Sequence, residues 1–212
     1  MSDKPSQLPS SFRVVTWIAL VVTGLISFWG LAEAMSVFNP VPLEQPLPQT
    51  DAPLVDPQLV QAMLRAQLDA GAGMRGPRGA VLMFLSFICG LASVSALRLL
   101  YPAGLPREGM RTITGGTLLV AGILRTIDGA MQLVITQRTA AALKKELEAG
   151  RAGSLGLEGQ ADLLPSVMMA GSLGMTVFMV GTLIGAAQYL RSARAKEIVR
   201  AVDAATSRST PS

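Results

Sequence analysis

Four runs of this sequence are each long and apolar enough to cross a lipid bilayer, and they limit the architecture more than any other feature. They cover residues 14–36, 79–97, 112–136 and 163–190, and hold three charged residues in all, Glu33, Arg125 and Asp128. A hydrocarbon core is about 30 Å thick and takes about 20 helical residues to span. Lipid offers no partner to backbone N–H and C=O groups, so such runs must be helices or strands of a closed barrel, and their length selects helices. The expected fold is therefore an all-α integral membrane protein, a four-transmembrane-helix bundle with short extramembrane helices. Charged residues make up 15% of the chain, against about 25% in an average soluble domain.

The segments between the runs assign the two sides. One side collects residues 1–13, 98–111 and 191–212, with ten Lys and Arg against four Asp and Glu. The other collects residues 37–78 and 137–162, with seven against eight. Basic residues near span ends stay in the cytoplasm, so both termini are expected there, with the protein a multi-pass component of the cell (inner) membrane. Ala32 and Ala34 have the spacing of a signal-peptide cleavage site. The apolar stretch before them, residues 14–30, exceeds the usual hydrophobic region of about 7–15 residues, and the first run is read as an uncleaved anchor.

The loops carry structure of their own. "NPVPLEQPLPQTDAP", residues 39–53, has five prolines and is expected to run extended. A short helix is expected over residues 57–70, with Asp56 as N-cap, Pro57 in its first position and Gly71 just beyond its end. "TQRTAAALKKELEAG", residues 136–150, is rich in strong helix formers, so the third span should continue outward as one helix before a Gly-rich return. The fourth span should continue inward through "RSARAKEIVRAVDAA", with Ile198, Val199 and Val202 on one side and basic residues around them. That tail is expected to lie against anionic inner-leaflet lipid.

Within the spans, small residues recur in register. Gly115, Gly122 and Gly129 stand every seven residues along the third, and the fourth holds Gly174, Gly181 and Gly185, the last two as a GxxxG. The first offers Thr23, Ser27 and Gly30, and the second Ser86, Gly90 and Ser93. Small residues let helices approach closely in lipid, where no hydrophobic force drives them together. All of these read as helix-packing positions.

The third span also carries a polar seam, Arg125, Asp128 and Gln132, at i, i+3, i+7 spacing on one helix face. A lone charge costs about 2.5–3.5 kcal/mol at the centre of a membrane helix. The seam should therefore face protein, with Arg125 and Asp128 neutralising each other. Three roles stay open: a structural lock or subunit contact, the lining of a solute or ion path, and snorkelling to the outer interface.

Elimination narrows the chemistry. There is no histidine, which removes histidine-ligated haem, the HExxH zinc site and a Ser–His dyad. The single cysteine, Cys89, cannot cycle as a dithiol pair. Asp128 is the one acid deep in a span, so a two-aspartate membrane protease cannot be built, and no phosphate-cradling GxxxxGK[ST] is present. The basic residues flank the spans rather than forming a patch for nucleic acid. The expectation is a non-enzymatic protein without cofactor or bound metal, partnered by the bilayer and by another membrane protein or a second copy of itself. It would be a structural or accessory subunit of a membrane complex. The alternative is a small oligomeric channel or transporter lined by the third span.

Overall fold

A computed structural model of the chain describes residues 8–39, 57–101, 106–148 and 163–208. Among these residues the protein is all helical, with six helices and no strand: α1 (Ser10–Phe38), α2 (Pro57–Ala72), α3 (Arg75–Leu100), α4 (Arg107–Glu148), α5 (Leu164–Arg191) and α6 (Ala193–Arg208). Four of them, α1, α3, α4 and α5, are long and apolar enough to cross a membrane. The proline-rich segment, the Asp56 cap and the Gly-rich return lie outside the described residues.

Helix boundaries follow local chemistry. Helix α2 runs two residues beyond the expected stretch, and the turn at Gly73 and Met74 leads directly into α3. The carbonyl of Met74 accepts the N–H of Arg78 at 2.9 Å, so α3 begins earlier than the apolar run and takes in Arg75 and Arg78. Pro77 sits in that first turn, where its missing N–H costs nothing. Helix α4 is one uninterrupted helix of 42 residues, about 63 Å long, because the alanines and lysines after Thr136 keep favouring helix where the apolar run stops.

The tail differs from expectation. The fourth span and the tail are not one continuous helix; α5 ends at Arg191, and α6 starts after a break at Ser192. The Ser192 hydroxyl accepts the N–H of Ala195 at 3.2 Å and donates to the carbonyl of Tyr189 at 2.7 Å. It thus caps the new helix and closes the old one. The apolar stripe of α6 packs into protein rather than lipid. Val199 and Ala195 are fully buried, and Val202 nearly so.

The chain divides into two compact units. The first comprises residues 1–32, 82–125 and 178–212. Its core joins Phe12, Ala19 and Ile26 of α1, Leu85, Cys89 and Leu99 of α3, Leu118 of α4, Leu183 and Leu190 of α5, and Val199 of α6. Helices α1 and α3 meet antiparallel through their small residues. The Thr23 and Ser93 hydroxyls hydrogen-bond at 2.8 Å, and Ser27 donates to the carbonyl of Ser86 at 2.8 Å. A methyl group on Gly30 would come within 2.7 Å of the Ser86 hydroxyl. These hydroxyls also bond the carbonyl a turn back on their own helix, as Thr23 does to Ala19 and Ser86 to Leu82, so both are satisfied where they are buried.

The second unit comprises residues 33–81 and 126–177. Ala34, Ile135, Ala140 and Leu143 are its buried apolar side chains alongside Ala70, and Arg78, Asp128, Thr136 and Thr139 are buried with them. Its interior is far more polar than that of the first unit. Helix α2 rests on α4 where Gly71 faces Ile135.

Candidate functional site

Three helices of the second unit each bring one charged side chain to a common point. Glu33 comes from the last turns of α1, Arg78 from the first turn of α3 and Asp128 from the middle of α4. The Nε of Arg78 donates to Oδ1 of Asp128 at 3.2 Å, and its Nη2 donates to Oε1 of Glu33. Asp128 is fully buried and Arg78 is 7% exposed. The Glu33 side chain is the most accessible of the three, at 28%.

The guanidinium explains the geometry. It is planar, carries five donors and stays charged, so one side chain can serve two carboxylates at once. Its aliphatic stem lets Arg78, placed near the start of α3, reach acids on two neighbouring helices. Each buried charge is thereby hydrogen-bonded, as burial requires. Two carboxylates and one arginine hold positions against each other.

The sequence expectation gave Asp128 to Arg125, one turn earlier on the same helix. The structure also supplies Arg78 to Asp128 from another helix. Arg125 itself is half-buried in the first unit. Gln132, one turn beyond Asp128, is also half-buried, and among the described residues its Oε1 is a buried acceptor without a hydrogen-bond partner. Arg78 and Glu33 are the residues that sequence reasoning missed. A depth count would have found them. Glu33 lies twenty residues past Arg13, and Asp128 seventeen past Arg111, or about 30 Å and 26 Å along their helices. That is the level at which the second span begins, beside Arg78.

The glycines fall into two groups. Gly115, Gly122 and Gly129 of α4 are notches filled by α5. A methyl group on Gly115 would come within 2.8 Å of Arg191 Cγ, one on Gly122 within 3.1 Å of Ile184 Cγ1, and one on Gly129 would collide with Thr176. Those of α5 do not reciprocate. Gly174, Gly181 and Gly185 are exposed, with nothing described within 4 Å of a methyl group at any of them. Face-to-face glycine packing between these helices is thus replaced by large side chains of α5 entering the α4 notches.

No group of three or more His, Cys, Asp and Glu side chains that could hold a metal ion occurs among the described residues. Compared with protein-family models, with curated proteins and with solved structures, the chain matches none.

Proposed function

We propose that this chain is a multi-pass protein of the inner membrane, with both termini in the cytoplasm, and that it acts without catalysis as a structural or accessory subunit of a membrane complex. Insertion is supported by the outward surface of the long helices. Phe28, Trp29, Phe84, Phe87 and Phe178 are all more than half exposed, an apolar display that water would not tolerate over such an area. The charge asymmetry between the two sides supports the orientation.

The observation that carries the subunit reading is the slight burial of α5. Only 6% of its most apolar stretch is buried, against 28%, 39% and 33% for α1, α3 and α4. Its outward face is lined by Gly174, Gly181 and Gly185. Glycine lowers helix stability by about 1 kcal/mol relative to alanine, and in lipid the compensation is close approach of another helix. The charge cluster fits the same reading, since Arg78 bonds both acids and Asp128 is closed to solvent.

The test is the double variant Gly181→Leu with Gly185→Leu. The isolated chain should keep its helix content and melting temperature, while the solubilised complex shrinks on a native gel. A complex of unchanged size would overturn the subunit reading. A conduit lined by α4 makes the opposite demand: neutral replacements of Arg125 and Asp128 would abolish vesicle flux while leaving assembly intact.

A further inference from the structure

Within the first unit, each long helix brings an arginine to the same end. Arg13 lies in the first turn of α1, Arg98 in the last turn of α3, Arg111 near the start of α4, and Arg191 closes α5. Arg111 is buried and spent on structure. It bonds both oxygens of Glu108 at 3.0 Å and donates to the carbonyl of Leu190. Arg13, Arg98 and Arg191 are exposed. The stem of Arg191 lies over Gly115, where any Cβ would crowd it, so its charged end is held at the rim.

Helix α6 adds to this collar. Ala195, Val199 and Val202 seat it on the core, and Asp203 pairs with Arg107 at 3.6 Å, so it is a docked element with fixed faces. Successive residues on a helix stand about 100° apart. Arg194 and Lys196 therefore occupy opposite flanks of buried Ala195, and Arg200 lies further round; all three are exposed. Of the acids at this end, Asp203 pairs with Arg107, and Glu108 bonds Arg111 and lies within electrostatic reach of Lys196 and Arg200; with Glu197 they stand against the larger number of basic side chains.

We propose that this collar binds the headgroups of anionic phospholipids in preference to zwitterionic ones. The inference rests on the reading that the four helices span a bilayer with this end at the cytoplasmic leaflet. Charge complementarity selects the occupant. The basic side chains sit where the apolar runs end, which is the level of the lipid phosphates, and on α6 they are exposed. The buried stripe means that α6 contributes charge to this contact and no apolar insertion.

Full-length protein in phosphatidylcholine vesicles with a minority of phosphatidylglycerol tests this, with spin-labelled versions of each lipid reporting the boundary shell. The wild-type chain should enrich phosphatidylglycerol by about fivefold or more at low salt, and the preference should fall as salt screens it. The variant Arg191→Gln, Arg194→Gln, Lys196→Gln, Arg200→Gln should lose most of it, while Arg65→Gln with Arg138→Gln should not. Equal enrichment in the quadruple variant, or a wild-type preference indifferent to salt, overturns the proposal. The salt series needs no variant, so misfolding cannot mask the result. Displacement of phosphatidylglycerol by short duplex DNA at equal phosphate concentration would instead mark the collar as a nucleic-acid surface. Resistance to alkaline carbonate extraction checks the bilayer reading separately: a chain that is extracted defeats that reading, and a chain that stays without lipid preference defeats only the collar.

Discussion

Arg78 holds two acids with one guanidinium, so loss of this single side chain removes an ion pair from Asp128 and from Glu33 at once. Removing one partner of a buried ion pair typically costs about 3–5 kcal/mol, whereas replacing the whole set by uncharged groups is often nearly neutral. Arg78→Ala should therefore lower the detergent-resistant stability of the purified protein by about 3 kcal/mol or more. The triple variant Glu33→Gln, Arg78→Met, Asp128→Asn should recover most of the loss in thermal unfolding. Arg125→Ala should cost less than Arg78→Ala, because it leaves the bridge in place; a larger loss at Arg125 would contradict the assignment. Asp128 was legible in the sequence, since an acid inside an apolar run demands a buried partner. Its cation was not, because Arg78 stands outside the run and reads as a loop charge. Spacing along one helix proposes partners only on that helix, while a long side chain reaches across to others.

Helices α4 and α5 pack by shape in one direction only. The α4 glycines are notches and α5 supplies Thr176, Ile184 and Arg191 to fill them. Overpacking a tight contact costs about 1–3 kcal/mol. Gly129→Leu and Gly122→Leu should each lower the melting temperature, with Gly129 the more sensitive, while Gly174→Leu should leave it unchanged. Equal losses at Gly129 and Gly174 would mean that the notches are not used. The seven-residue rhythm of Gly115, Gly122 and Gly129 was visible in the sequence, but what enters those notches was not, because filling a notch needs a neighbour rather than a rhythm. The existence of all four long helices was legible for a simple reason: apolar length is a property of the run itself. The break at Ser192 was harder to see. Serine is a neutral residue in a helical pattern until its hydroxyl finds an N–H three residues on. Ser192→Ala should cost about 1 kcal/mol, measured by unfolding, and should loosen α6 in hydrogen exchange before it affects α5.

For the chain as a whole, the proposed orientation makes a sharp demand on reporter fusions. Fusions at residue 107 and at the C-terminus should report cytoplasm, and fusions near residues 50 and 150 should report the outside. A C-terminal reporter active outside would invert the charge reading and move the basic collar to the opposite leaflet. The arrangement of charges also has a consequence for biosynthesis. A membrane chain is made from its N-terminus onward, so Glu33 is synthesised first, Arg78 second and Asp128 last. Once α3 has left the ribosome, Glu33 and Arg78 can form a neutral couple, with the Arg78 guanidinium still able to take a second acid. Asp128 then arrives at a cation that is already in position. A nascent chain halted after α3 should thus insert stably, and a fragment beginning at residue 79 should resist proteolysis less well than one beginning at residue 75, which keeps Arg78. The order of the three residues along the gene is the order in which their charges can be safely withdrawn from water.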